Sequence, residues 1–406
     1  MKKLVRSTPG KSAPKAGAPA ELPEELLADR LVALAVDLRD ADVYKTLPDD
    51  LRRARAELRR TVNRCLQKRS EAALSEALER CWDEDAGAWR TLNATVEELA
   101  GTIIVRRPDD SELEVNAFAI PLFVHSRGGL DAAQCFRDGE AFDALRASIV
   151  SGGLESPDAG VVLVAHAYHA DEFDRIGPVQ LHAMVREAHE AMSKKKAAAA
   201  EAIAASMSGW PPSAFAAGDE AMELRFLLGF AQKSLDDPFY RIPEKEALAD
   251  RYFEQRAQRF RRWSEDVTPL LKRCLATDGR VTAIDFLYQD LFHGARDAAL
   301  RELEMLRLLT SVRALLDERG IDGGDARAIV GPLEAEDDEV MRIVLQMRAG
   351  DAPLGSVDRP LARSETVAGA VDDIADGLDS IGIGEIQVAR QFDMEGMPLR
   401  VRPYGR

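Results

Sequence analysis

Histidine is the side chain best suited to chemistry near neutral pH, because its ordinary pKa lies at about 6.5. The chain holds six, and four stand close together at His166, His169, His182 and His189. His182 and His189 are seven residues apart, which puts them on one helix face. His166 and His169 are three apart, so a regular strand points them to opposite sides. One of them meeting His182, with Asp171 or Glu172 alongside, would make a two-histidine metal site. Rim and surface histidines that bind nothing are far commoner, so neither a metal nor a cofactor is expected. His125 closes the apolar run of the central segment, and His166 nearly closes the next. If those runs are neighbouring parallel strands, both histidines lie on one sheet rim, where αβ sheets bind ligands. Arg127, Arg175 and Arg241 each follow a strand and, with helix N-termini, could hold an anion. Bracing loops through Asp171, Asp174 or Asp237 is the plainer use for them. The ligand-binding candidates are therefore His125, Arg127, His166, His169, Arg175 and Arg241, and no catalytic residue is assigned.

Nucleotide and hydrolase motifs fail on inspection. Gly382-Ile383-Gly384 is followed by Gln387 where a third glycine is needed, and it precedes a strand rather than a helix. The sequence has no G-x-x-x-x-G-K-[ST], no H-E-x-x-H and no G-x-S-x-G. Cys135 has only Arg137 nearby to favour a thiolate and reads as structural. The acids Glu334, Glu336, Asp337, Asp338 and Glu339 lack the glycine and spacing of a calcium loop and read as a solvated linker.

These residues need elements to position them. The longest apolar run, Leu113 to Gly129 (L-E-V-N-A-F-A-I-P-L-F-V-H-S-R-G-G), is expected as a buried strand. It is apolar on both sides, which implies layers above and below it, and Pro121 implies a bulge there. Thr102–Arg106 and the turn Pro108-Asp109-Asp110 make a hairpin with it. Further strands are expected at Val161–His169, Met222–Phe230, Val340–Met347, Glu385–Phe392 and Leu399–Val401. Helices are expected at Ala141–Val150, from Pro178 to about Ala205, and at Glu365–Leu378. Another holds Tyr252 to Leu270 and is kinked or broken at Pro269, and another holds Leu303 to Leu316 and closes at Gly320. Val161–Ile176 and Leu227–Ile242 align at an offset of 66 residues, suggesting two strand–loop–helix modules of similar build.

Residues 1–20 are basic and free of acids and read as a disordered tail. Residues 21–100 carry helical stripes such as Leu27, Leu31, Leu34 and Leu38. In the next stripe Asp49 or Asp50 is expected to cap a helix whose outer faces carry Arg52, Arg55, Arg59 and Arg60. Those arginines are the nucleic-acid candidates. Pairing with Glu71, Glu76 and Glu79 of the following helix is the preferred reading.

The net charge is −16 over 406 residues, with 46% apolar residues. That balance disfavours nucleic acid and anionic membranes as partners and leaves a globular protein with a full core. Four cysteines without a C-x-x-C pair point to the cytoplasm. No apolar run reaches membrane-spanning length, and the N-terminus lacks the apolar core of a signal peptide.

Four segments carry a likeness: A-I-P-L-F-V-H-S-R (119–127), R-R-W-S-E-D-V-T-P-L-L-K-R-C (261–274), L-L-D-E-R-G-I-D-G-G-D-A-R-A-I-V-G-P-L (315–333) and G-M-P-L-R-V-R-P (396–403). In order and content the chain resembles a bacterial family of conserved proteins of unknown function. The resemblance implies a cysteine pair before a terminal G-x-P-L in many members. Here Phe392-Asp393-Met394-Glu395-Gly396-Met397 has none, so no metal role is carried over to that place. The reading is an α+β fold: tail 1–20, helical domain 21–100, first αβ unit 101–207, linker 208–220 with its boundary at Ser208–Ser213, and second αβ unit 221–406 with a helical insertion. The function expected is a non-catalytic interaction or regulatory protein with a protein partner. The alternatives are an enzyme handling a small molecule or phosphate at the rim of His125, His166 and Arg127, and a nucleic-acid-associated protein using the tail and the arginine-rich helix.

Overall fold

The computed structural model describes residues 24–44, 46–128, 136, 138–193, 221–276, 278–289, 291–333, 340–350, 353–362 and 364–405. The basic tail, Cys135, the Ser208–Ser213 boundary and the acids at 334–339 lie outside the described residues. The fold is α+β, with helices first and two sheets after them.

Helices α1 (Glu24–Leu38), α2 (Asp49–Lys68), α3 (Glu71–Glu84) and α4 (Ala86–Gly101) open it. Each turns one apolar stripe inward; on α2 it is Leu58, Val62, Cys65 and Leu66. Pro48, not Asp49 or Asp50, holds the cap position of α2, and the two acids sit in the first turn, where they favour the positive end of the helix dipole. Asp85 does cap α4, accepting from the Ala88 amide at 2.9 Å. The arginine-rich face pairs inside this layer, as the sequence suggested, but with other acids. Arg59 donates to Glu98 of α4 at 2.6 and 3.0 Å, and Glu57 accepts from Arg30 of α1 at 2.6 Å. Of the expected partners, Glu76 meets Arg80 on its own helix at 3.8 Å. Arg52 bonds Asp49, one turn back, and Arg60 is exposed.

Strands β1 (Thr102–Arg106) and β2 (Glu112–Ser126) form the expected hairpin, with Asp110 in the turn at φ 65°. After them come α5 (Gly139–Ser151), β3 (Gly160–His169), α6 (Ala170–Phe173), α7 (Pro178–Ser193), β4 (Ala221–Ser234), α8 (Glu246–Leu275) and β5 (Val281–Phe286). The sheet is antiparallel throughout. Strand β4 lies between β2 and β3, while β1 and β5 share the other edge of β2. The aligned segments at offset 66 thus include adjacent strands of one sheet, but the two strands lead into different elements: β3 into α6, and β4 into a 3₁₀ turn at Pro238–Tyr240. One face, with Val115, Ala117, Phe226 and Phe230, packs on α1–α4 and α7. The other, with Ile120, Leu122 and Leu227, packs on Leu145 of α5 and Phe260, Trp263 and Val267 of α8. That double coverage is why β2 reads as apolar on both sides.

The expected bulge at Pro121 is absent. β2 passes through Pro121 in unbroken register with β4, opposite Phe226, and its irregularity falls at His125/Ser126 against β5. The Pro121 carbonyl accepts from Leu287 just beyond the end of β5. Within a strand the amide and carbonyl of one residue point the same way, so the missing donor faces the gap between β1 and β5, where no ladder asks for it. Phe123 is a core residue at 4% exposure, whereas the side chain of His125 is 36% exposed and bonds Asp285 at 3.0 Å. Phe123→Ala should therefore cost about 3–5 kcal/mol and His125→Ala under about 1 kcal/mol. Denaturant unfolding of both variants measures the difference, and equal losses would contradict it.

Helix α9 (Ala295–Arg319) leads to the second sheet. Its first half adds Ala295, Ala299 and Leu303 to the core of the first sheet, and its second half adds Leu308, Val312 and Leu316 to the next core. That core holds β6 (Ala326–Leu333), β7 (Val340–Met347), β8 (Pro353–Pro360), α10 (Val367–Ser380) and β9 (Glu385–Val388), and short strands β10 (Gln391–Phe392), β11 (Pro398–Leu399) and β12 (Arg402–Pro403) close the sheet. Four strands escaped the sequence reading: β5, β6, β8 and the two-residue β12, and of the strand expected at Leu399–Val401 only Leu399 is paired, in β11. The run Glu385–Phe392 is two strands rather than one, because the Ala389 amide turns to Val330 and the Arg390 amide to Leu399. Of the kink or break expected at Pro269, the break does not occur: α8 runs through Pro269 as one helix. The described part of α7 ends at Ser193, so the stretch to Ala205 lies outside the described residues.

Candidate functional site

The register separates the rim candidates. β2 and β3 do run parallel to each other, but β4 stands between them, and they are not neighbours. His125 lies opposite Met222 and bonds Asp285 of β5. His166 sits in an irregular stretch of β3 between Leu163 and Ala167 and bonds Glu172 at 3.3 Å. The two histidines therefore belong to different surroundings, and the rim site expected from them is not assembled. His169 caps α6, its Nδ1 accepting from the Asp171 amide at 3.2 Å. Arg127, Arg175 and Arg241 are all exposed. Arg127 follows the end of β2 that pairs with Ala221, and Arg241 follows the opposite end of β4, so no anion site joins them. His182 is buried in the apolar core, and desolvation pushes its pKa down, keeping the ring neutral. His189 bonds Gln232 at 2.8 Å.

The structure instead brings together a buried polar cluster whose other members the sequence reading missed. Arg225, 1% exposed, donates to Glu223 through Nη2 at 2.7 Å and Nε at 3.2 Å, and its Nη1 stands 4.0 Å from Glu172. Glu172 also accepts the His169 amide at 2.6 Å and meets His166. Two buried carboxylates thus share one guanidinium. The signal was present: Glu223 and Arg225 are two apart in an apolar strand, so they share one face, and a charged pair inside such a strand needs a partner.

Apart from this cluster, a cleft of about 1070 Å³ opens between the helical layer, the N-terminus of α9 and the second sheet. One face of α4 lines it with Ala86, Trp89, Asn93, Val96, Glu97 and Ala100, spaced three or four residues apart. Trp82 of α3 meets Trp89 edge-on at 5.0 Å between ring centres and stands 42% exposed. The opposite wall is a ring stack. Phe173 of α6 lies between Phe226 at 4.4 Å and Phe292 at 5.0 Å, so a core residue of the sheet is continuous with the cleft lining. Pro360, Leu361, Ala362, Ser364 and Glu365 come from the second sheet and its following loop.

Three polar links brace the lining. The Glu97 carboxylate accepts the Gly294 amide at 3.1 Å, satisfying the backbone donor of the residue that caps α9. Arg296, in the first turn of α9, donates to Asp174 at 2.9 Å. Arg359, 2% exposed on β8, donates to Glu365 at 2.6 Å. Burial pushes the Glu97 carboxyl above the ordinary glutamate value and Asp297 adds to this, while the Gly294 amide, Asn93 and His293 oppose it. An acid with a higher pKa folded than unfolded binds more protons in the fold, so its ionisation works against stability as pH rises through that raised value. Glu97→Gln should then melt no lower than the natural protein at neutral pH, with its advantage fading as pH falls from that raised value to the ordinary glutamate value. Thermal melts from roughly pH 4 to 8 read this. A variant that melts lower at neutral pH would contradict it.

A family model described as "Protein of unknown function (DUF2863)" matches residues 23–397. The chain belongs to this family. No curated protein and no solved structure matches it. The DUF2863 match spans the first sheet, the second sheet as far as β10 and every residue of the cleft, so the helical layer, α9 and the main strands of the second sheet lie in one family unit. No helix among the described residues is long and apolar enough to cross a membrane. In this family member the described cysteines Cys65, Cys81 and Cys274 are buried and form no disulfide among the described residues, and burial beside Asp138 pushes Cys274 up to about 12.

Proposed function

We propose that the protein works by binding rather than by catalysis, as an interaction or regulatory protein, and that the cleft above α4 is its ligand site. The observation that carries this reading is the cleft itself. It is as large as the upper range of small-molecule sites, about 300–1,000 Å³, with apolar and aromatic walls and a few convergent polar groups. Its walls come from five separate stretches of chain, and α9 links two cores beneath it, so an occupant would bear on both sheets at once. A cytoplasmic setting fits buried cysteines that form no disulfide among the described residues. The arginine-rich helix supports a nucleic-acid role less well, since Arg59 and Arg52 are already engaged with acids.

Ala86 and Ala362 line the cleft from opposite walls and are exposed, so tryptophan at both should fill it without disturbing a core. Thermal shifts with a small-molecule fragment library should then give hits on the natural protein that vanish in Ala86→Trp/Ala362→Trp. Hits retained in the filled variant would place the ligand site elsewhere.

A further inference from the structure

We infer that the cleft recognises an organic cation, an ammonium or guanidinium group carried on an apolar body. This rests on the cleft being the ligand site and names what it takes. Three of the carboxylates around the cleft have cations: Asp174 and Asp297 meet Arg296 at 2.9 and 3.5 Å, and Glu365 meets Arg359 at 2.6 Å, while Arg90 adds a further cation to the lining. Glu97 differs. Its hydrogen bonds come from neutral donors, the Gly294 amide and the Asn93 amide group, both at 3.1 Å, and no lysine or arginine is within ion-pair distance among the described residues. His293, adjacent to Gly294, is the nearest basic group acting on it, and Asp297 repels it. A half-buried carboxylate without a counter-ion is costly, and a cation arriving with a ligand compensates it.

The surroundings fit the rest of such a molecule. Phe292 precedes Gly294 by two residues and stacks on Phe173, giving an apolar plate beside the carboxylate. Trp89 lies eight residues before Glu97 on the same helix face, about 12 Å away along the axis, and with Trp82 presents ring faces and edges that favour both apolar groups and cations. The cleft therefore offers one anionic anchor and aromatic surface on either side of it.

Isothermal titration with three probes of one shape tests this: phenethylammonium, phenethyl alcohol and phenylacetate. The natural protein should bind the cation about tenfold or more tightly than the alcohol, and phenylacetate most weakly. Glu97→Gln keeps an acceptor for the Gly294 amide, and its fold is checked by circular dichroism and melting. It should bind cation and alcohol alike, and Glu97→Asp should recover part of the preference. A preference that survives in Glu97→Gln, or phenylacetate binding as tightly as the cation, would overturn the inference while leaving the cleft as a ligand site. Failure of all three probes to bind the natural protein, with the fragment hits also insensitive to Ala86→Trp/Ala362→Trp, would overturn both.

Discussion

Arg225→Met should destabilise the protein by about 3–5 kcal/mol, because it strands two buried carboxylates in the sheet. The methionine fills much of the same volume, so the loss reports charge rather than a cavity. Glu223 is 9% exposed and Glu172 3%, and the guanidinium is the cation both face. Without Arg225 the two buried carboxylates lose the guanidinium they share, and a buried charge that loses its ion-pair partner is costly. Arg225→Met/Glu223→Gln removes one of those charges and should recover part of the loss. Urea unfolding of the single and double variants reads both effects. A small loss in Arg225→Met, or no recovery in the double variant, would show that the cluster is not held by charge.

The second large effect is steric. Gly229 of β4 lies directly opposite Phe118 of β2, and a methyl group on Gly229 would overlap the Phe118 ring. The ring occupies the space that a side chain on β4 would need, packing over the glycine in the middle of the sheet. Strand β4 is paired on both edges around this point, so its backbone cannot back away. Gly229→Ala should cost about 3 kcal/mol, at the upper end for overpacking, and Gly229→Val more. Phe118→Leu alone should cost about 1 kcal/mol, but combined with Gly229→Ala it should relieve the clash, giving a coupling of opposite sign to the single losses. Additive losses in that double-mutant cycle would contradict the packing described.

Much of this architecture was legible in the sequence. The hairpin of Thr102–Arg106 with β2, the helices of the first hundred residues and the strand at Met222–Phe230 all arise from apolar spacing and turn residues. Pro121 misled, because a proline in a central strand implies a bulge only if both edges carry a continuous ladder, and here one edge is interrupted. β5 and β8 escaped because V-T-A-I-D-F and P-L-G-S-V-D-R-P hide few buried residues among polar ones, and β6 because Gly331 and Pro332 read as a stop. The histidines drew attention to the rim, yet His125 and His166 could be joined only by knowing which strand lay between them. The cleft was half visible. Trp89, Asn93 and Glu97 on one helix face form a stripe too polar for core, but their facing residues lie at 173–178, 292–300 and 360–365, and sequence spacing says nothing of such encounters.

The central claim is that the cleft holds a ligand, and native mass spectrometry tests it most directly. The natural chain and Ala86→Trp/Ala362→Trp would be purified gently, side by side, from the cell that makes the protein. The natural chain should carry a bound small molecule of defined mass that the filled variant lacks. The same adduct on both proteins would contradict the claim, as would its absence from the natural chain when cell extract is added back.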